Sequence, residues 1–561
     1  MLLKDSDWWR SSTIYSVWPY SFKDTTGKGT GDIKGIISKL GHIKALGVDI
    51  IWVSPIFCSP MVDKGYDVSD YYNINPRFGS NQDAKDLIDE VHKRGMKIIF
   101  DLVVNHTSDQ HKWFQEAKKD KNSKYRNYYI FHKGVNGKEP NQWRAQFAGN
   151  CWTYNPDTND YYLHNYTKHQ PDINWDCPEL REEIFNIARY WMNKGIDGWR
   201  LDAICCMTKP VDIKTGEIDL TYPMPYVVGE RLHGYLKMLC DVFREKDNVL
   251  IIGEIGVDVG KELWKFTDPG RGECNATIVF DMVSVDVDAS KGIGKFALQE
   301  FKVDNVRKVL DYWNDNISNG CLCLHTESMD QPRVISRWGN EDARVLSGKL
   351  LAIFNHSMKG LPIIYQGEEI GMMNWKFTFE QINDIEILQN YQELVVERKI
   401  YTKEKFMDIA KYISRDSART PMQWDSSPNA GFTTGDPWLP VNQNYYNVNA
   451  KAERKDPNSI FHFYSRLVNL RKKEPLLVNG ELFITMKNSS YTLGFLRKDQ
   501  NVKLLVICHF SSDTEEVCHD DIDFDFHKLF EFVIGNYDSL FSTDCKLVLR
   551  PYEAFILKQS G

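Results

Sequence analysis

Short apolar runs alternate with amphipathic helical runs along most of this 561-residue chain. Strand-like runs lie at 14–18, 50–54, 97–104, 195–202, 249–254, 276–280, 322–324 and 361–365, and helical runs at 33–46, 82–94, 180–194, 229–244, 303–313 and 341–359 fall between them. Strands joined through a helix cannot pair as a hairpin, so the crossover leaves them parallel. Eight such units are what a closed α/β barrel needs, and the expected fold class is a (β/α)8 TIM barrel, with the helical run at 460–472 completing its outer ring.

The rhythm breaks in three places, which set the expected domain organisation. Residues 1–104 form the first part of the barrel, and 105–175, rich in Asn, Tyr, Lys and Trp without a helical stripe, read as a small inserted domain after the third strand. Residues 176–478 hold the rest of the barrel, with a lid-like excursion at 375–450. From 479 to 561, short alternating runs predict a C-terminal antiparallel β domain.

A formal charge of −8 argues against a nucleic-acid or anionic-membrane surface. No stretch is apolar for long enough to span a bilayer, and no basic leader precedes an apolar run. The twelve cysteines form no metal-binding knuckle and read as free thiols of a reducing compartment. These features predict a cytoplasmic monomer that needs no cofactor and binds no nucleic acid or membrane.

Candidate chemistry lies at the carboxyl ends of the strands. Asp202 ends the fourth, Glu254 ends the fifth, and Asp330 follows the seventh. Each alone reads equally well as an acid at a helix start, but barrel topology brings the three to one mouth. Arg200 projects to the same side as Asp202, because strand side chains alternate with period two. Crowded carboxylates raise the proton affinity of one member, a combination suited to glycoside hydrolysis, which needs an ionised acid to attack and a protonated one to donate. Aromatic residues concentrated in polar stretches such as 143–166 offer flat faces to sugar rings.

Specific segments then carry a resemblance. Ile14-Tyr-Ser-Val-Trp-Pro-Tyr-Ser-Phe, Gly65-Tyr-Asp-Val-Ser-Asp-Tyr, Asp101-Leu-Val-Val-Asn-His, Gln170-Pro-Asp-Ile-Asn, Gly198-Trp-Arg-Leu-Asp, Gly253-Glu, Tyr365-Gln-Gly-Glu-Glu-Ile-Gly-Met and Ala418-Arg-Thr-Pro-Met-Gln-Trp-Asp span nearly the whole chain. The chain resembles the α-amylase family of glycoside hydrolases, in the branch of oligo-1,6-glucosidases, α-glucosidases, dextran glucosidases and sucrose isomerases. The resemblance implies Asp202 as nucleophile, Glu254 as acid/base and Asp330 as transition-state stabiliser, with Arg200 holding the nucleophile ionised. It implies substrate contacts at Asp101 and His106, a glucose met by Asp63 and stacked on Tyr66, and Arg419 completing the closed end of the pocket with Asp63. The implied substrate is a small oligosaccharide and the implied activity is exo-acting, retaining release of glucose. A sucrose isomerase or transglucosylase, and a weakly active or non-catalytic carbohydrate-binding homologue, are the alternatives.

Three positions bear on that implication. Met329 stands where the family carries the histidine of an Asn-His-Asp run. In the loop Asp24-Thr-Thr-Gly-Lys-Gly-Thr-Gly-Asp32, Lys28 replaces the central acid of a hard-cation site, and the expectation is that it neutralises Asp24 and Asp32 with no metal bound. Ala203, after the expected nucleophile, suggests room beside the leaving sugar and hence α-1,4 or relaxed linkage preference. The charged run 333–342 is expected to face the acceptor side.

Overall fold

The computed structural model describes residues 5–560 apart from 213–216, 257–258, 318 and 544. Eight parallel strands close into a barrel: β1 (Ile14–Val17), β2 (Ile50–Val53), β3 (Lys97–Val103), β4 (Gly198–Asp202), β5 (Leu250–Ile255), β6 (Ala276–Val279), β7 (Leu322–Leu324) and β8 (Leu361–Tyr365). Runs such as Ile50-Ile-Trp-Val are buried at every residue because barrel filling covers one face and the helical ring the other. Closure comes from β1, whose Ile14 lies opposite Ile50 of β2 and Ile363 of β8. A buried acid reinforces that seam: Tyr15 Oη donates to Glu369 Oε1 at 2.9 Å, and His42 Nε2 lies 2.8 Å from the same oxygen.

Local chemistry marks where the ring helices begin and end. Ser80 and Asp83 form a capping box at Asn81–Lys93, and Asp32 caps Ile33–Leu46 by accepting from Gly35 N–H. Pro178 opens Pro178–Lys194, and Gly195, at φ 113°, turns the chain out of it toward β4. At Gly198 a Cβ would come within 2.0 Å of the Leu250 carbonyl, so only glycine lets β4 start flush against β5. The other ring helices are Glu230–Phe243, Val303–Ile317, Arg344–Ser357 and Ile460–Lys473, and a three-ten helix at Gly260–Phe266 stands between β5 and β6.

Two features depart from the sequence reading. The helix expected at 341–359 is present as Arg344–Ser357, and a short helix at Val334–Trp338, not expected, precedes it. The charged run 333–342 includes this short helix, and two of its charges are neutralised inside: Arg333 is fully buried against Glu327 at 2.9 Å, and Arg337 pairs with buried Asp286, its Nε at 2.8 Å. A hairpin of Phe57–Cys58 and Asp70–Ile74, too short to read by periodicity, decorates the loop after β2.

Between β3 and β4 a small sheet of Phe131–His132, Asp160–Leu163 and Trp152–Asn155 packs over its own apolar cluster, which includes Ile130, Trp143 and Leu163. The segment after β8 carries Ile385–Tyr391, Lys403–Ile413 and Arg415–Arg419, with a separate cluster around Ile387, Leu394 and Phe406. The C-terminal part is a five-stranded antiparallel sheet in the order Glu481–Thr485, Thr492–Lys498, Val502–His509, Ala554–Ser560, Glu531–Gly535. Among the described residues no helix is long and apolar enough to cross a membrane.

Candidate active site

Arg200, on β4, is the centre of the barrel mouth. The parallel register sets Asp101 of β3 beside it, and Asp202 follows two residues later on the same face. Its Nη1 donates to Asp101 Oδ1 and to Asp202 Oδ1, each at 2.8 Å, and its Nη2 meets Glu254 of β5. One buried guanidinium therefore serves three buried carboxylates. A single cation cannot balance three anions away from water, so protons are retained. Burial pushes Glu254 up to about 7, Asp202 up to about 7 and Asp101 up to about 6, against the pull of Arg200.

The chain leaves β4 through Ala203, held at φ 50° in the left-handed region, and this bend aims its N–H at Glu254 Oε2, 3.2 Å away. Ala203 is 1% exposed and does not line the cleft. Its expected place beside the leaving sugar is therefore corrected: its contact with the site is the N–H bond to Glu254.

Asp330 has the opposite electrostatics. Burial pushes its carboxyl upward, but Arg419 (Nη2 to Oδ1, 3.1 Å), Arg415 (Nη1, 3.4 Å) and the charge of Arg200 hold it below the usual carboxylate range. Arg415 is itself fixed by buried Asp384, whose Oδ1 accepts from Nε at 2.9 Å and Nη2 at 2.7 Å, and Arg415 lies 3.8 Å from Asp63. Asp63 also accepts from Gln170 Nε2 at 3.1 Å. Tyr66 donates to Asp101 Oδ2 at 3.1 Å and stacks on Trp18 at 6.4 Å, while His106 Nε2 meets the Tyr66 carbonyl at 3.2 Å.

These groups surround a cleft of about 320 Å³, with aromatic walls at Phe147, Tyr166 and Phe280. Of the residues singled out from sequence, Asp63, Tyr66, His106, Asp202, Glu254 and Asp330 line it, whereas Asp101, Arg200 and Arg419 stand behind. The expected pairing of Arg419 with Asp63 is corrected: Arg419 holds Asp330 and, through Nε at 2.8 Å, the Met329 carbonyl, and it is Arg415 that faces Asp63. The sequence reading missed Arg415. The signal was present, since Arg415 and Arg419 are four apart on one short helix and share a face. Phe147 and Tyr166 lie in the aromatic stretch 143–166 noted in the sequence, and Phe280 ends the strand-like run 276–280, but neither pattern singled them out as cleft residues.

Met329 is 1% exposed and closes the floor of the mouth, above a cavity of about 10 Å³ that it shares with Trp52, Glu254, His325 and Asp330. The loop at 24–32 also differs from expectation. Lys28 is exposed and pairs with neither acid. Asp24 instead accepts from the N–H groups of Thr26, Gly27 and Gly29 and from Thr433 Oγ1, and Asp32 accepts from Thr25 and Gly35 N–H. Backbone donors take the lone pairs that an ammonium or a hard cation would need.

Comparison with known proteins matches this geometry. A family model described as alpha amylase, catalytic domain, matches residues 16–480. The oligo-1,6-glucosidase of Parageobacillus thermoglucosidasius is 42% identical over 560 residues, covering 98% of this chain and 99% of that one. The crystal structure of Bacillus licheniformis trehalose-6-phosphate hydrolase superposes with a TM-score of 0.91 at 35% identity, over 99% of this chain and 100% of that one. Isomaltulose synthase from Klebsiella sp. LX3 gives 0.91 at 31% identity, over 98% and 99%. A closed barrel with carboxylates at its strand ends, matched over nearly its whole length, establishes that this chain is a glycoside hydrolase of the α-amylase family.

Proposed function

We propose that the protein is a retaining, exo-acting α-glucosidase that removes glucose from the non-reducing end of short α-1,6- and α-1,4-linked glucosides. The observation that carries the reading is Arg200, which grips Asp202 and Glu254 with one guanidinium beside a cleft closed by Arg415, Asp63 and Asp384. Two acids within one guanidinium's span suit the ~5–5.5 Å spacing of a retaining pair better than the ~6.5–9.5 Å of an inverting one.

In this reading Asp202 attacks the anomeric carbon and Glu254 protonates the departing oxygen, giving a covalent glucosyl-enzyme. Burial pushes both Glu254 and Asp202 up to about 7, so near neutrality the pair retains a proton, and the working form carries it on Glu254 with ionised Asp202 bonded to Arg200. Deprotonated Glu254 then takes a proton from the incoming water, and Ala203 N–H steadies its second oxygen. Asp330, kept ionised by Arg419 and Arg415, holds sugar hydroxyls and offers negative charge to the oxocarbenium-like transition state. Asp63 faces the terminal glucose and Tyr66 lies beneath it, with Asp101 fixing the Tyr66 hydroxyl. The arginine-carboxylate wall leaves no path for a longer chain beyond that glucose, which makes the action exo. Relatives named oligo-1,6-glucosidase and glucan 1,6-alpha-glucosidase support α-1,6 bonds among the substrates. Twelve free cysteines, most of them buried, support a reducing, cytoplasmic setting.

The test is product identification with maltose, isomaltose, panose, sucrose and trehalose, beside Asp202→Ala. Free glucose formed only by the wild type is expected. New disaccharides in place of glucose would replace hydrolysis with isomerase or transglucosylase action, and silence on every substrate would overturn the enzyme reading.

A further inference from the structure

The end of the barrel opposite the cleft holds a concentration of charge of one sign. A cavity of about 60 Å³ lies there between the N-terminal helical segment Asp5–Ser11, the helix Val303–Ile317, the turn before β8 and the first strand of the C-terminal sheet. Arg10, Lys359 and Arg471 line it, and no acid among the described residues does. Apart from Asn314, the remaining walls are largely apolar, Trp313 and Leu482 among them.

The charge is poorly compensated. Arg471, 2% exposed, donates from Nη1 to the Leu477 carbonyl at 3.0 Å and from Nη2 to the Arg10 and Gly360 carbonyls at 2.7 and 2.6 Å, and its Nε has no partner. Arg497, fully buried, shares the Leu477 carbonyl at 3.1 Å and otherwise donates to the carbonyls of Ser357 and Gly480. Two guanidiniums thus meet on one oxygen without a carboxylate. Carbonyls satisfy hydrogen bonds but not a net charge. Burial lowers Arg471 to about 10, and burial with the charge of Arg471 lowers Arg497 to about 9. Lys359 is also lowered, first by burial and then by repulsion from Arg497. Arg10 has Asp7 at 3.7 Å, while Lys359 and Arg471 feel Glu481 and Asp49 only at longer range and make no ion pair among the described residues.

We propose that this cavity binds a small inorganic oxyanion of the phosphate class, held by Lys359, Arg10 and the free Nε–H of Arg471. On the measure by which about 10–15 Å³ holds one water, its volume gives room for an ion of a few heavy atoms. The anion supplies the missing negative charge where the N-terminal segment, the barrel base and the C-terminal sheet meet, so it acts as a clamp between them. The site lies away from the cleft, and turnover does not depend on it.

The experiment titrates inorganic phosphate from roughly 0.1 to 10 mM, at ionic strength held constant with chloride, by calorimetry and thermal unfolding of the full chain. Wild type is expected to bind one equivalent saturably and to gain about 2 °C or more in Tm. Lys359→Met, whose ammonium makes no ion pair among the described residues, should fold, keep wild-type turnover and lose at least about tenfold in phosphate affinity together with the Tm gain. Arg10→Gln should weaken binding in the same direction, and sulfate competing with phosphate would support the oxyanion class. Absence of saturable binding, an equal gain with chloride, or an undiminished gain in Lys359→Met would overturn the site.

Discussion

Replacing Arg415 with methionine should cost more than any contact at the cleft surface suggests. Its partner Asp384 has no exposed side-chain surface, so removing the cation leaves a carboxylate charged and dry. Breaking a buried pair from one side costs about 3–5 kcal/mol. Asp384 keeps the N–H bonds of Glu386 and Arg415 at 3.0 Å each, which places the expectation near the lower end, about 3 kcal/mol at pH 7. Asp384→Asn alone removes the charge while keeping the helix cap, and the Arg415→Met/Asp384→Asn double variant should recover about 2 kcal/mol of the summed single losses. Sign follows from linkage. Burial alone would raise Asp384, but Arg415 depresses its carboxyl, so the pair stabilises above the unfolded carboxylate pKa and that contribution fades as pH falls through the folded value. The deficit of Arg415→Met should therefore shrink in acid. The same variant strips Asp330 of one of its two arginines, and losing a charged hydrogen-bond partner of about 1.5–3 kcal/mol predicts a fall in kcat/KM of roughly ten- to hundredfold. Urea unfolding of the four proteins as a double-mutant cycle, with steady-state kinetics beside it, gives every term. A deficit below about 1 kcal/mol, or a double variant that loses the full sum, would refute the buried-pair reasoning.

Other outcomes follow from the mouth of the barrel. Glu254→Gln should lower hydrolysis of natural glucosides by about 10²–10⁴-fold and spare glucosyl donors whose leaving group needs no proton; equal loss on both classes would remove Glu254 as the acid. Because Glu254 is raised to about 7, kcat/KM should decline above that pH, which a pH-rate profile reads directly. Glu254 and Asp202 bind protons more tightly folded than unfolded, so their contribution to stability should be lost as pH climbs from about 4.5 through about 7, and the slope of unfolding free energy against pH should flatten in Glu254→Gln. Met329→His restores an imidazole donor to the floor of the pocket and should raise kcat/KM for glucosides by up to about a hundredfold, or ~3 kcal/mol; no gain with any glucoside would show that Met329 does not limit glucose recognition.

Periodicity in this chain was informative where burial is uniform. The runs at 322–324 and 361–365 coincide with β7 and β8, because a strand covered on both faces reads as continuous apolar sequence. Asp202, Glu254 and Asp330 were legible because barrel topology alone carries strand ends to one mouth. The burial of Arg333 and Arg337 was not legible for a physical reason: charge in a sequence suggests solvent unless the partner is known, and Glu327 and Asp286 become partners only through the tertiary fold. Lys28 failed likewise, since backbone N–H groups, which no side-chain pattern reveals, had already claimed Asp24 and Asp32. Arg415 was hidden by its neighbour Arg419, whose segment carried the resemblance.

The closing seam of the barrel also sets a timetable for synthesis. Tyr15 of β1 is bonded to Glu369, 354 residues later, and β8 is the strand that completes its pairing. At about 5–20 residues per second, a ribosome takes roughly 20 to 70 s to travel that distance, and for all of it one edge of β1 has no permanent partner. An apolar edge held open that long is a template for pairing with other chains. The main hazard therefore falls during elongation, at the edge of β1, and faster elongation or a chaperone engaged on the first strand should raise the yield of finished chains more than any change at the carboxyl end.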